Sequence, residues 1–224
     1  MDLSAFDIIG PSMVGPSSSH TAGVVRLGQV ARALLGGVAP TRADVGLHGS
    51  LAATGAGHAT DRGMAAGLMG WAPDDERLKD ALAAAVSAGL ELAFSAVDLG
   101  EAAHPNSVRL SLKAAGGAGV SLLGASVGGG SILVSEVDGF PTRITGELDT
   151  LVIWHLDQPG FLAKVTGLLA CAEANIASIQ TSRRTRGDEA LTRIEVDSPP
   201  LPEVVAVLRL IRGVERVAHL PALS

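Results

Sequence analysis

His20 follows three consecutive serines. The stretch Gly15-Pro16-Ser17-Ser18-Ser19-His20-Thr21 puts hydroxyls, helix-starting amides and an imidazole next to one another. Ser and Thr favour helix N-termini because their oxygens accept hydrogen bonds from the first free amides. Spare amides and hydroxyls at a helix start suit a small anion such as a carboxylate, and an imidazole beside them can move protons near neutral pH. The run therefore points to acid–base chemistry on a carboxylate-bearing molecule. A capping loop with a histidine at its edge uses the same residues with no ligand. A second proton-transfer candidate, His58, sits in Gly57-His58-Ala59-Thr60-Asp61. There Thr60 and Asp61 either orient the ring or cap the helix that follows. His48, at the end of a strand pattern, reads as structural. Asn106, in His104-Pro105-Asn106, is a candidate ligand contact, although turn chemistry also favours Asn there.

Two other motifs lead nowhere. Gly124-Ala125-Ser126-Val127-Gly128 spells a nucleophile elbow, but that elbow must lead into a helix, and three glycines and a Val/Ile strand follow instead. Gly55-Ala56-Gly57 begins a dinucleotide fingerprint that Thr60 interrupts. The single cysteine, Cys171, falls in an apolar helical stripe and reads as a buried, inert thiol.

The elements that must position these groups show in the hydrophobic pattern. Phe6 to Ile9 reads as a short strand. Val24, Leu27, Gly28, Ala31, Leu34 and Leu35 recur at helical spacing, with Gly36-Gly37 as the stop. Ala43 to His48 reads as a strand, Leu51 to Leu68 as helical, Asp75 to Ala88 as a helix and Leu90 to Leu99 as a strand. Val108, Leu110 and Leu112 alternate in a further strand. Gly116 to Gly130 is glycine-rich, broken by Val120-Ser121-Leu122-Leu123, and leads into a strand at Ile132 to Val134. Asp138 to Pro141 reads as a turn, and Gly146 to Asp149 as a domain junction. Beyond it, a strand at Leu151 to Trp154 precedes a helix over Leu162 to Ala172, with Asn175 expected as a left-handed cap. Strands from Ile176 and around Leu191 to Val196, a helix over Pro202 to Leu210 and a last strand at Val214 to Leu220 complete a βαββαβ order, the split-βαβ pattern.

Composition narrows the function classes. Apolar residues make up 47% of the 224 residues and charged residues 18%, enough for a packed core. Aromatics are 3% and glycines number 28, so the core rests on Ala, Val, Leu and Ile. A net charge of -6 argues against nucleic acid or an anionic membrane as partner. No apolar run reaches the ~20 residues of a membrane helix. The N-terminus lacks the basic and apolar regions of a signal peptide. One cysteine fits a reducing cytosol, so a cytoplasmic location is expected. One thiol also falls short of the three or four that usually anchor an iron–sulfur cluster or structural zinc.

Two resemblances span nearly the whole chain. Residues 149–224 resemble an ACT domain, the ferredoxin-like βαββαβ regulatory module, through Asp157-Gln158-Pro159-Gly160 and Asn175-Ile176. Residues 1–148 resemble the beta chain of bacterial iron–sulfur L-serine dehydratase. The residues that carry this are Phe6-Asp7-Ile8-Ile9-Gly10-Pro11-Ser12, Gly15 to Thr21, Leu47-His48-Gly49-Ser50, Gly57 to Asp61, His104-Pro105-Asn106 and Ser126 to Gly130. Ala59 departs from the pattern, where Gly is expected. The same domain type resembles the allosteric substrate-binding domain of some phosphoglycerate dehydrogenases. The resemblance implies an α+β chain: a mixed α/β domain over 1–148 and an ACT domain over 149–224.

It also implies a lyase that converts L-serine to pyruvate and ammonia. A [4Fe-4S] cluster, ligated by a partner alpha subunit, would act as Lewis acid on the serine hydroxyl. His20 and His58 would be the catalytic residues, with the base unassigned between them. Ser17, Ser18, Ser19, Thr21, Thr60, Asp61 and Asn106 would bind substrate. Asp157, Pro159, Gly160 and Asn175 would bind an amino-acid effector. A homodimer or a heterotetramer with the alpha subunit would be the assembly. The alternative is a non-catalytic regulatory module that binds a small anion and an amino acid.

Overall fold

The computed structural model describes residues 12–223, the Ala56 side chain apart. The expected strand at Phe6 to Ile9 lies outside the described residues. The chain forms two compact units that divide between Gly139 and Phe140.

In the first unit a π-helical turn, Ser18–Ala22, runs directly into helix α1, Gly23–Leu34. Then come β1 (Pro40–Leu47), α2 (Gly49–Thr54), a 3-10 turn (Gly55–His58), α3 (Thr60–Met69), a second 3-10 turn (Glu76–Asp80), α4 (Ala81–Ser87), β2 (Glu91–Ala96), β3 (Ser107–Ala114), β4 (Gly119–Gly128) and β5 (Ser131–Val137). These strands hydrogen-bond in the order β2-β1-β3-β4-β5. Only β1 and β2 are parallel. Their connection carries α2 to α4, the kind of crossover that parallel strands require.

Helix α1 lies against the sheet and against α3. Leu27 fits over Gly124 of β4, where a Cβ would strike its methyl group. Helices α1 and α3 meet at Gly28 and Gly67; a Cβ on Gly67 would overlap the Val25 carbonyl. Glycine at both positions lets the two backbones touch.

Two local expectations change. The helical stretch Leu51 to Leu68 is interrupted at Ala59, which adopts a left-handed φ of 58°. The glycine-rich region, expected to be broken only at Val120 to Leu123, is one strand from Gly119 to Gly128, with Gly124 making room for Leu27. Gly128, Gly129 and Gly130, all at positive φ, form the turn to β5. Ser126 is buried in β4 with no helix after it, so the elbow reading stays rejected.

The second unit comprises β6 (Phe140–Ile144), β7 (Asp149–Leu156), α5 (Phe161–Cys171), β8 (Ile176–Arg183), β9 (Glu189–Val196), α6 (Pro202–Leu208) and β10 (Val214–Leu220). From β7 onward this is the expected βαββαβ order, with an antiparallel sheet ordered β10-β7-β9-β8. Leu151, Ile153, Val165, Leu169, Ile194, Val196 and Leu208 fill the core between sheet and helices. The division falls upstream of the expected 148/149 junction, so β6 is counted with this unit. Ser182 Oγ donates to the Pro141 carbonyl at 2.5 Å, and the Arg184 guanidinium lies 4.8 Å from the Phe140 ring centroid. The left-handed residue after α5 is Glu173 (φ 55°), not Asn175. Cys171 is exposed, not buried, because it ends α5 on the outward face.

Candidate functional site

Ser17 caps the π-helical turn with an extended backbone, and its Oγ accepts from the His20 amide at 3.2 Å. The same Oγ lies 3.1 Å from His20 Nδ1. On the other side of the ring, His20 Nε2 is 3.1 Å from Thr54 Oγ1 and 3.3 Å from Ser50 Oγ. The His58 ring stands 5.0 Å from that of His20, centroid to centroid. His58 Nδ1 is 3.0 Å from the Thr54 carbonyl. A carbonyl only accepts, so Nδ1 carries the proton and Nε2 of the neutral ring keeps its lone pair. Burial first, then the neighbouring His58 charge, lowers the His20 pKa; a hydrogen bond that the ring donates to the Ser50 backbone opposes them.

The surrounding contacts lock this pair in place. Thr21 is fully buried and its hydroxyl donates to the His58 carbonyl at 3.1 Å, tying the π-helical turn to the 3-10 turn. Ser50 N donates to the Pro105 carbonyl at 2.8 Å, which brings the Asn106 loop against α2. The Asn106 carbonyl accepts from Ser126 N at 3.0 Å. Asn106 Oδ1 and Ser126 Oγ are both buried without a hydrogen-bond partner, an arrangement that calls for an explanation in a folded protein. Ser18 and Ser19 are half-buried, and their amides lie in the first helical turn, where no intrahelical acceptor exists.

The structure thus brings Ser17, Ser18, Ser19, His20, Thr21 and His58 together, with Asn106 reaching the α2 side of the group. Thr60 and Asp61 follow at the start of α3. They line an open cavity of about 320 Å³ with Leu47, Leu51, Phe94 and Ser95, and neither histidine is among its walls. Thr60 Oγ1 is buried there without a partner. His48 Nδ1 accepts from the Leu99 amide at 3.2 Å, a structural tie between the ends of β1 and β2. Sequence reasoning passed over Ser50 and Thr54. The signal was their spacing: 50, 54 and 58 recur every four residues, one face of a helix.

In the second unit, Asp157 accepts from Arg183 Nη1 at 2.8 Å and from the Gly187 amide at 3.1 Å. The amide first, then the guanidinium, hold its carboxyl below the usual range. Gly160 starts α5 at φ 78°. Asn175 donates to Asp197 at 2.6 Å. Asn175 precedes β8 and Asp157 is paired to the residue that ends it, so the two stand at opposite ends of that strand. One copy of the chain does not gather them into one site.

No group of three or more His, Cys, Asp or Glu residues could hold a metal among the described residues, and Cys171 is exposed at the far end of α5. This donor set does not fit a [4Fe-4S] cluster. No helix among the described residues is long and apolar enough to cross a membrane.

Comparison with known proteins gives the family. The family described as serine dehydratase beta chain matches residues 4–137, and the ACT domain family matches residues 150–209. The chain is 36% identical over 215 residues to the L-serine dehydratase beta chain of Peptoniphilus asaccharolyticus, covering 96% of this chain and 95% of that one. It is 40% identical over 194 residues to the probable L-serine dehydratase beta chain of Bacillus subtilis (strain 168), covering 87% of each. It is 31% identical over 106 residues to a D-3-phosphoglycerate dehydrogenase of Synechocystis, covering 47% of this chain and 19% of that one.

Proposed function

The chain belongs to the serine dehydratase beta chain family and carries an ACT domain, and from that premise we propose that it is the proton-transfer half of an L-serine ammonia-lyase. A partner alpha chain completes the enzyme and ligates the [4Fe-4S] cluster, for which this chain lacks the donors. The reaction is L-serine to pyruvate and ammonia.

The observation that carries the reading is the His58 ring: Nδ1–H held by the Thr54 carbonyl, Nε2 free to take a proton, and a helix start beside it. The Ser18 and Ser19 amides and hydroxyls bind the serine carboxylate, where the helix dipole favours a negative charge. His58 Nε2 removes the α proton. Loss of the β-hydroxyl as water leaves an enamine, which becomes an imine and hydrolyses to pyruvate and ammonia. The α C–H is a weak acid, so a positioned base is required. Asn106 Oδ1, buried without a hydrogen-bond partner, remains as a further polar contact for a bound substrate.

The ACT domain binds an amino-acid effector in this reading. Asp157, Pro159 and Gly160 of one copy approach Asn175 of another in a dimer, since a single copy keeps them apart. Sedimentation of the full chain with and without L-serine tests this: a dimer with serine-dependent association is expected, and a serine-indifferent monomer removes it.

Reconstitution tests the reaction. Serine turnover should need both chains, and His58→Asn should lower kcat by roughly 10²–10⁴-fold with the unfolding temperature little changed. If His58→Asn and His20→Asn both retain turnover, the base lies on the partner and this chain is a binding and regulatory subunit.

A further inference from the structure

We propose that Thr54 is the positioning residue that sets the two active-site histidines in opposite tautomers, His58 with its proton on Nδ1 and His20 with its proton on Nε2. The assignment of the rings to serine dehydration rests on the function proposed above; the tautomers rest on hydrogen-bond geometry alone.

A hydroxyl has one proton to give. That of Thr54 goes to the Ser50 carbonyl, 2.9 Å away, as the helical i−4 bond common for threonine. Toward His20 Nε2, at 3.1 Å, Thr54 Oγ1 can therefore only accept. Nε2 must carry the hydrogen, and Nδ1 of neutral His20 is left with the lone pair. The other side of the ring agrees. Ser17 Oγ already accepts the His20 amide and lies 3.1 Å from Nδ1, so its own proton is available to that lone pair. The same residue sets the second ring through a different atom, its main-chain carbonyl, which accepts from His58 Nδ1 at 3.0 Å. Thr54 thus acts on one ring by its side chain and on the other by its backbone.

The functional consequence is a division of roles. His58 presents a lone pair at Nε2, as a base must. The lone pair of neutral His20 is engaged by Ser17 and its N–H by Thr54, so this ring is held as a fixed neighbour and His58 is the acceptor of the proton. Ser50 Oγ, 3.3 Å from the same His20 Nε2, is a second acceptor there, and its own proton remains available for substrate.

The division between side chain and backbone gives the test. Ring-nitrogen NMR of the full chain, labelled at histidine and taken above the titration range, reports each tautomer without any activity. The expected result is Nε2–H at His20 and Nδ1–H at His58. Thr54→Val keeps the shape and the carbonyl but removes Oγ1. It should shift His20 toward Nδ1–H and leave His58 unchanged, while Thr54→Ser restores the wild-type spectrum. In the reconstituted enzyme Thr54→Val should lower kcat about 10-fold to 100-fold with KM little moved, in line with losing an orienting contact, and Thr54→Ser should recover it. Nδ1–H at His20 in the wild-type chain, a spectrum indifferent to Thr54→Val, or full turnover in Thr54→Val overturns the proposal. Absence of serine turnover in the wild-type pair would instead remove the assigned reaction, with the tautomers still read from the spectra.

Discussion

The His20 and His58 rings lie 5.0 Å apart with their planes tilted by 37°, close enough that a proton on one opposes a proton on the other. Burial and the His58 charge lower the His20 pKa. His58→Gln should therefore raise the His20 pKa toward its ordinary value, as read by NMR titration. A His20 titration that does not move would separate the two rings electrostatically. The linkage has a sign. With the folded pKa below the unfolded value near 6.5, the unfolded chain binds more protons as pH falls through that window. The stability His20 contributes is present above about pH 6.5 and declines below it. His58→Gln should flatten that decline in unfolding curves taken between about pH 7 and 5.

Ser18→Ala and Ser19→Ala should weaken apparent serine affinity in the reconstituted enzyme. A hydrogen bond to a charged carboxylate contributes on the order of 1.5–3 kcal/mol, which corresponds to about tenfold or more in KM. Kinetics unchanged in both variants would return the loop to a capping role.

Ala59→Gly should stabilise the chain. Ala59 sits at φ 58° and ψ 30°, where a Cβ costs roughly 1–2 kcal/mol and a glycine does not. Glycine loses more freedom on folding, so the net gain is about 1 kcal/mol, or about 2–4 °C in Tm. A fall in Tm would show that the Ala59 methyl makes packing contacts worth more than the strain.

Gly23→Ala should destabilise, against the general preference of helices for alanine. A Cβ on Gly23 would overlap the buried Ser126 hydroxyl and its Cβ. Overpacking of this kind costs roughly 1–3 kcal/mol. Ser126→Gly in the same chain should recover part of the loss. Strict additivity in that double-mutant cycle would show that the two residues do not meet.

Much of this fold was legible because burial follows periodicity. Val108, Leu110 and Leu112 alternate and are all buried in β3, and the βαββαβ order could be read from the apolar runs. The failures have local causes. Gly124 reads as a breaker, yet it is a space made for Leu27 of a distant helix. β6 hides behind Asp138-Gly139, a strong turn signal, and carries Pro141. Asn175 is a better left-handed former than Glu173 in isolation, but chain geometry after α5 puts the turn two residues earlier. In the site, Ser17, His20 and His58 stood out by residue type. Thr54 did not, since a threonine in an Ala-rich helix announces nothing until the carbonyl and hydroxyl it offers are seen between two rings.

The close crossing of α1 and α3 at Gly28 and Gly67 acts like the pivot of a pair of tongs. His20 lies about two helical turns before Gly28, and His58 precedes α3, whose eighth residue, Gly67, completes the crossing. The near ends are held to each other through Thr21 and the His58 carbonyl. A methyl group at either glycine would meet the facing backbone and force the two helices apart at the crossing, on the same two elements that carry the rings.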